Sequence, residues 1–318
     1  MIKKKKYLVT GAAGFIGSNL VDRLLEDKHE LVVVDDLSSG YEKNISTDFS
    51  NLLIKKQVQE ITNEEVFPVD GIFHLAAQAS VPYSIDNFFE SSKNNILSTL
   101  KVFEWSKDQN IPVVYASSSA VYGNLPFGDD TDEMKYDIVS PYAQDKLTIE
   151  HYAAMMFDIY NVNSTGLRLF NVYGPRQDPT NPYSGVISIF IDRILKGNPV
   201  TINGGFQTRD FIYVQDVVNV MVKSMELLFE KNICEYFNVG TGLSVTIDEL
   251  FSIIKNIMNT DPEVVRKNLP HGDPERSAGS YTKIKEILGV DISSFIDLRS
   301  GLIKTIEYFS NSSGITRL

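Results

Sequence analysis

The segment Tyr142-Ala143-Gln144-Asp145-Lys146 holds a phenol and an ammonium four positions apart. On a helix that spacing puts both groups on one face. A lysine charge beside a tyrosine draws its pKa down toward neutrality, which makes the phenolate a usable general base. The pattern by itself is common. In a chain with 15 tyrosines about one such pair is expected by chance, and Tyr281 with Lys285 forms a second. Position separates the two. Tyr142 follows an apolar run that ends in Ala116-Ser117-Ser118-Ser119-Ala120-Val121-Tyr122-Gly123, whereas Tyr281 lies toward the C-terminus and is read as structural. Ligands of open parallel sheets bind beyond the carboxyl ends of the strands, so a serine cluster there is placed to touch one. For Ser117 the preferred reading is that its hydroxyl satisfies backbone groups at the strand exit.

A second constellation is Thr10-Gly11-Ala12-Ala13-Gly14-Phe15-Ile16-Gly17. It follows a strand-like Tyr7-Leu8-Val9 and opens a helical segment, the context in which such a glycine triad binds a dinucleotide. Gly11 permits the tight turn, Gly14 lets the backbone approach a pyrophosphate, and Gly17 lets helix and strand pack closely. The helix N-terminus then offers amide donors to the phosphates. An acidic residue is expected about 20 positions on, at the end of the second strand. Asp35 stands there, after Val32-Val33-Val34. Its charge would repel a 2′-phosphate, and the residues that follow (Asp36, Leu37, Ser38, Ser39) include no arginine, so NAD is expected and not NADP.

The elements that must position these groups alternate. Tyr7 to Thr10, Leu31 to Val34, Leu52 to Lys55, Gly71 to His74, Pro112 to Ala116 and Ser164 to Leu169 read as buried strands. Phe15 to Glu26, Ser84 to Lys107 and Tyr142 to Ile159 read as helices between them. This predicts an α/β fold, a doubly wound parallel sheet with helices on both faces. Asn171 to Gly185 is rich in Pro, Gly, Asn and Tyr and reads as a long structured loop. Phe211 to Val214, Val217 to Phe229 and Glu235 to Val239 read strand, helix, strand, and the rest of the chain reads as a smaller α/β lobe. The expected organisation is a dinucleotide-binding domain over 1–170, to which about 211–239 return, interleaved with a substrate lobe over 171–318.

Composition narrows the partners. The 318 residues carry 41 acidic against 30 basic side chains, a net charge of −11, which disfavours nucleic acid or an anionic membrane as the main partner. The basic run Lys3 to Lys6 reads as a solvated entry to the first strand. Apolar stretches such as Val186 to Ile191 are too short to span a bilayer, and the N-terminus has no apolar signal core. A single cysteine, Cys234, suits a reducing cytoplasm, and four scattered histidines give no metal-ligand pair, so no metal is expected.

Taken together, the glycine start, the serine-rich strand exit and the Tyr-x-x-x-Lys helix resemble the extended short-chain dehydrogenase/reductase family, and within it the nucleotide-sugar epimerases. Further matching stretches are His74-Leu75-Ala76-Ala77, Asn95-Ile96-Leu97-Ser98-Thr99, Arg168-Leu169-Phe170-Asn171-Val172-Tyr173-Gly174-Pro175 and Gln207-Thr208-Arg209-Asp210-Phe211-Ile212-Tyr213-Val214. The resemblance covers essentially the whole chain. It implies that Gly11, Gly14 and Gly17 cradle the NAD pyrophosphate, that Asp35 binds the adenosine ribose, and that Phe15, Ile16 and Ser38 also contact the cofactor. Glu60 and Ile61 would meet the adenine, Leu75, Ala76 and Ala77 would line the cofactor cleft, and Asn95 would hold the active-site architecture. Ser118 falls on the catalytic Ser/Thr, Tyr142 on the base, and Lys146 on the residue that binds the nicotinamide ribose and tunes Tyr142. Ser80, Ser118, Ser119, Tyr142, Asn171, Arg209 and Ser277 would contact a UDP-sugar, Asn171 and Arg209 at its diphosphate. A homodimer through helices near 84–107 and 142–159, packed as a four-helix bundle, is implied as well.

The departures from the family pattern are local. Glu60-Ile61 replaces Asp-Ile, Pro270 stands where a second diphosphate arginine is expected, and Gly279-Ser280 replaces Ala-Asp. Arg266 or Arg276 is a candidate substitute for that arginine, and Ser280 for the cap of the following helix. Dehydratases of the family carry an acidic pair where this chain has Ser119 and Ala120. The expected reaction is therefore 4-epimerisation of a UDP-hexose through a transient 4-keto sugar. Two alternatives stand beside it. A UDP-glucuronate epimerase or decarboxylase would need a cation that Ser80-Val81-Pro82-Tyr83-Ser84 does not offer, and a non-catalytic NAD-binding regulator would not need Ser118, Tyr142 and Lys146 together. In relatives one residue bordering the sugar 2-substituent gates the N-acetyl group. Counting from Gly272 places it at Ser277, small enough to expect that UDP-GlcNAc/UDP-GalNAc enters beside UDP-Glc/UDP-Gal.

Overall fold

The computed structural model describes residues 4–46, 52–131, 136–181, 185–269 and 274–313. Pro270, where the second diphosphate arginine is expected, lies outside them, as do Lys3, His271, Gly272 and Asp273. The chain runs β1 (Lys6–Thr10), α1 (Phe15–Glu26), β2 (Glu30–Val34), β3 (Leu53–Ile54), α2 (Asn63–Val66), β4 (Gly71–His74), α3 (Val81–Asp86), α4 (Phe88–Gln109), β5 (Val113–Ser118), α5 (Pro141–Tyr160) and β6 (Ser164–Leu169). It continues as β7 (Asn171–Tyr173), α6 (Val186–Leu195), β8 (Val200–Asn203), β9 (Thr208–Tyr213), α7 (Val214–Glu230), β10 (Cys234–Val239), β11 (Ser244–Thr246), α8 (Ile247–Ile257), β12 (Val264–Lys267), α9 (Thr282–Glu286) and α10 (Leu298–Ser313).

Seven strands form one parallel sheet in the order β10-β6-β5-β4-β1-β2-β3. β1 is its pivot, in parallel register with β2 on one side and β4 on the other. The chain first steps outward from β1 to β3, then returns to start β4 on the opposite side. That reversal opens a crevice at the carboxyl ends of β1 and β4, the place where doubly wound sheets bind ligands. β4 and β6 are buried along their whole length, as strands covered on both faces must be. Val102, Phe103 and Trp105 of α4 pack with Leu8, Ile72, Val113 and Ile149 in the core of this layer.

Local chemistry sets where the helices begin and break. Ser140 caps α5, its hydroxyl accepting from Ala143 N at 3.2 Å, and Pro141 fills the first helical position. Tyr142 is thereby held in the first turn. The helix expected from Ser84 to Lys107 is instead two, α3 and α4, divided at Asn87 (φ −129°, ψ 52°). Ser80 starts α3 ahead of Pro82, earlier than the expected Ser84, by accepting from Tyr83 N at 3.1 Å. The strand expected over Leu52 to Lys55 shrinks to two residues, because Leu52 is exposed and cannot serve a buried strand. The expected loop over Asn171 to Gly185 begins as strand β7.

Two compact units divide the chain: 1–121, 140–168 and 218–237 form the first, and 122–139, 169–217 and 238–318 the second. The first holds the sheet. Residues 122–139, assigned from sequence to the dinucleotide domain, group with the second unit. There Tyr122 Oη donates to Asn238 Oδ1 at 2.6 Å, and Asn238 N donates to Asp130 Oδ2 at 3.1 Å. The second unit carries the sheets β11-β9-β7 and β12-β8 around a core that includes Tyr173, Phe190, Phe211, Leu250, Phe251, Leu302 and Ile306. α8 begins with a capping box in which Thr246 and Glu249 satisfy each other's backbone amides.

Candidate active site

The glycine turn joins β1 to α1 at the crevice. Gly11 has φ +68°, and a Cβ there would meet Ala76 N at 2.6 Å. At Gly17 a Cβ would meet Gly11 O at 2.0 Å, so helix and turn approach as only glycine allows. Gly14, the N-cap of α1, offers no side-chain acceptor to the first-turn amides, which suits an anionic ligand there. Phe15 and Ile16 are half-buried in the first turn. Asp35, buried at the end of β2, accepts from Ala13 N at 2.9 Å and Leu37 N at 2.8 Å. Burial raises its pKa, and those backbone amides pull it back. Each carboxylate oxygen can accept twice, so acceptor capacity remains for a ribose hydroxyl. These residues fit a dinucleotide.

Thr10, closing β1, ties the crevice together. Its Oγ1 meets His74 Nδ1 at 2.7 Å and accepts from Leu75 N and Ala76 N, each at 3.3 Å. His74 Nε2 meets Thr99 Oγ1 at 3.0 Å. Burial pushes the His74 pKa down to about 3, with the Lys146 charge a smaller cause, so the imidazole is neutral and structural. Leu75, Ala76 and Ala77 leave β4 half-buried.

Asn95 joins this loop to α5. Its Oδ1 accepts from Gln78 N at 2.8 Å, while its Nδ2 donates to Gln78 O at 3.2 Å and to Asp145 Oδ2 at 3.1 Å. Asp145 sits between the two groups singled out from sequence. Ser118 hydrogen-bonds Tyr142 and also accepts from Ala120 N at 3.1 Å. Lys146 Nζ donates to Ala116 O at 2.7 Å and lies 5.7 Å from the Tyr142 ring centre. The first unit thus gathers Ser118, Tyr142, Lys146 and Asn95 at the β5 exit.

The titration behaviour corrects one expectation. The Tyr142 phenol is not drawn toward neutrality: burial raises its pKa, the Ser118 hydrogen bond lowers it, and the Asp145 charge raises it again. Lys146 moves instead. Burial lowers its pKa from 10.5 to about 8, against the opposing pull of Asp145 and Glu150. Desolvation outweighs the attraction between neighbours because both side chains lie inside the protein.

The remaining predicted residues fall into place unevenly. Ser80 is committed to its helix cap, and Ser119 opens a 3-10 turn over Ser119–Tyr122. Ser38 bonds Asp36 Oδ1 through both its amide and its hydroxyl. Glu60 closes a capping box on the 3-10 turn Val58–Glu60, and Ile61 is buried in the core. Asn171 and Arg209 lie in the second unit, where they line one cavity of about 300 Å³ with Gln177, Val186, Phe190 and Phe211. Asn171 Nδ2 donates to Asp210 O at 3.1 Å. Ser277 is half-buried, outside the lining of that cavity, and its carbonyl accepts from Ser244 Oγ at 3.0 Å. Arg266, a candidate substitute for the absent arginine, pairs with Asp248 at 2.9 Å, and Arg276 is exposed. Tyr281 holds the N-cap position of α9, while Ser280 Oγ accepts from Thr282 N, the first amide of the helix, at 3.4 Å; the Tyr281 hydroxyl donates to buried Asp210.

Residues 7–240 match the NAD dependent epimerase/dehydratase family. The chain belongs to that family. It is an NAD-dependent enzyme of the extended short-chain dehydrogenase/reductase type. Among its relatives, the UDP-glucose 4-epimerase of Mycolicibacterium smegmatis is 36% identical over 317 residues, covering 96% of this chain and 99% of that one. The UDP-N-acetylglucosamine 4-epimerase of Methanobrevibacter ruminantium, solved in complex with UDP-N-acetylmuramic acid, is 35% identical. It superposes with a TM-score of 0.88, covering 98% of this chain and 100% of that one. UDP-glucuronic acid decarboxylase 1 of Xenopus tropicalis is 31% identical over 313 residues, covering 96% of this chain and 72% of that protein. Among the described residues no helix is long and apolar enough to cross a membrane.

Two features of this family member escaped the sequence reading. One is the contact of Asp145 with Asn95. The other is a buried ion pair between Glu150 and Arg168, which also receives the Ser117 hydroxyl. The only sequence signal for Glu150 was its place four residues after Lys146 and eight after Tyr142.

The Lys146 shift has a measurable consequence. Between about pH 8 and 10.5 an unfolded chain holds a proton on Lys146 that the folded chain has lost. Stability rises with pH wherever the unfolded state binds more protons. Thermal unfolding should therefore show Tm of the wild type gaining on that of Lys146→Met as pH rises from about 8 to about 10. Parallel curves across that window would contradict the assignment.

Proposed function

We infer that this enzyme is a UDP-hexose 4-epimerase acting through a transient 4-keto sugar, with UDP-GlcNAc/UDP-GalNAc and UDP-Glc/UDP-Gal as its substrate pairs. The observation that carries this reading is the gathering of Ser118, Tyr142 and Lys146 at the β5 exit, in the unit that also holds the NAD turn. Bound NAD would supply a carrier that accepts the C4 hydride and gives it back to the opposite face after the sugar turns over, together with a positively charged ring. Tyr142 Oη takes the proton of the sugar 4-hydroxyl, and Ser118 bonds the same oxygen and eases that transfer. Lys146, an ammonium below about pH 8, stabilises the phenolate and the ribose beside it. The keto sugar turns over in the site, and Tyr142 returns the proton to its oxygen.

Asn171 and Arg209 are proposed to grip the diphosphate. The cavity they line has a volume at the lower end of ligand sites and apolar walls from Val186, Phe190 and Phe211. The neutral pair Ser119-Ala120 supports epimerisation over elimination of water, since neither residue can serve as acid or base. Incubation with a panel of UDP-sugars, followed by chromatographic separation of epimers, tests the reaction. UDP-glucuronate in the same panel tests the decarboxylase reading. Tyr142→Phe should lower turnover at least ~100-fold, the scale of general acid–base catalysis. Near-normal turnover in that variant would remove Tyr142 from the mechanism.

The sugar gate is proposed at Ser277, whose small side chain leaves room for an acetamido group and offers it a hydroxyl. A cavity that admits N-acetyl also admits a bare hydroxyl, so the plain hexoses remain substrates. Ser277→Tyr should abolish turnover of the N-acetylated pair while sparing UDP-Glc/UDP-Gal. Equal loss on both pairs would place the gate elsewhere.

The homodimer is proposed through α3, α4 and α5. Ile85, Phe88, Phe89 and Leu97 on the first two, with Met155, Ile159 and Tyr160 on the third, are large apolar side chains left exposed, Phe89 by 70%. Such a concentration on neighbouring helices is the mark of an interface. Mass photometry should give twice the 35.7 kDa chain mass, and Phe88→Glu with Phe89→Glu should return the monomer. A monomeric wild type would overturn this.

A further inference from the structure

Tyr142, Lys146 and Glu150 occupy one stripe of α5, each four residues from the next. Facing them are three consecutive residues at the end of β5. Ala116 O accepts from Lys146, Ser118 bonds Tyr142, and Ser117 Oγ donates to Glu150 Oε1 at 2.5 Å. The last contact involves no group of the proposed chemistry, yet it is the most heavily supported. Glu150 and Arg168 have side chains 3% and 0% exposed. Arg168, on the neighbouring strand β6, donates from Nε to Glu150 Oε1 at 2.8 Å and from Nη2 to Oε2. Its guanidinium lies 3.9 Å from the centre of the Tyr236 ring on β10. Glu150 is thus gripped from β5 and β6 together, and Arg168 is itself set against β10.

Buried ion pairs are weak devices for stability, because desolvation consumes most of the attraction. Their geometry, by contrast, is stiff, since two parallel N–H···O bonds fix a carboxylate in both position and angle. We propose that Glu150, clamped by Arg168, is a positioning residue: through Ser117 it sets the rotation and height of α5 against β5, and with them the Ser118–Tyr142–Lys146 geometry. The inference rests on the reading of Tyr142 as the base. A displacement of about 1 Å in such a set costs on the order of 100-fold in rate, so the register of one helix on one strand is a quantity worth fixing.

The test uses full-length, NAD-loaded protein and two double variants that remove both charges and leave no orphan ion. Glu150→Leu with Arg168→Met also removes the acceptor for Ser117, whereas Glu150→Gln with Arg168→Met keeps it. Both should melt close to the wild type and retain NAD. The leucine variant should lose about 10-fold or more in kcat with KM unchanged, and the glutamine variant should recover most of that loss. A folded, NAD-loaded leucine variant turning over at the wild-type rate would overturn the proposal. Ser117→Ala leaves the ion pair intact and serves if either double variant fails to fold. It should lower kcat severalfold at constant KM, and an unchanged kcat would count equally against the proposal. Tyr142→Phe, assayed alongside, separates the two readings. Normal turnover there refutes the role of Tyr142 itself, whereas an inactive Tyr142→Phe beside a fully active leucine variant refutes only the positioning.

Discussion

The site depends on one short contact between a strand end and a helix face. Ala116, Ser117 and Ser118 are successive residues, and each reaches a different member of the stripe Lys146, Glu150 and Tyr142. Three bonds between two rigid elements leave the helix neither free to slide along its axis nor free to roll. What surrounds that contact keeps it fixed from other directions. Ser140 and Pro141 fix where α5 begins, and Asn95 ties Asp145 to the loop after β4. That loop in turn bonds Thr10 at the end of β1, beside the glycine turn. A series of short polar contacts therefore runs from the end of β1 to Asp145, three residues after Tyr142 on α5, without leaving the first unit.

This arrangement explains why polar residues lie so deep in the sheet domain. Thr10, His74, Asn95, Thr99, Ser117, Asp145, Lys146, Glu150 and Arg168 are all buried, a cost accepted only where every group finds a partner. Burial then decides protonation. It keeps His74 neutral, lowers Lys146 and raises Tyr142, in each case favouring the uncharged form.

The parts that were legible in the sequence are those whose chemistry is local. The glycine turn, Asp35 and the Tyr142–Lys146 spacing were readable because each requires a residue type at a fixed offset within one strand–turn–helix segment. The sheet was readable because continuous apolar runs have few other uses. Asn87 broke a helix that the apolar pattern had carried through, since periodicity registers which face is buried and not where a cap residue interrupts the backbone. Glu150 and Arg168 were invisible as a pair because their contact joins a helix to a strand, and two charged residues in a sequence look the same solvated or buried. The same blindness to burial misdirected the reading of the Tyr142 pKa, where proximity to a lysine was visible and desolvation was not.

Asp35 carries a consequence of another kind. Its carboxylate does two jobs at once: it holds Ala13 and Leu37 by their amides, and it stands where the adenosine ribose is expected. Gly40 packs against it so closely that a Cβ there would come within 2.9 Å of its Oδ1. A lineage that drifted toward a phosphorylated cofactor could not simply exchange this one side chain, because the glycine turn would lose an anchor at Ala13 in the same step. Cofactor choice and loop shape are inherited together here, and the path between the two dinucleotides must pass through compensating changes in the turn itself.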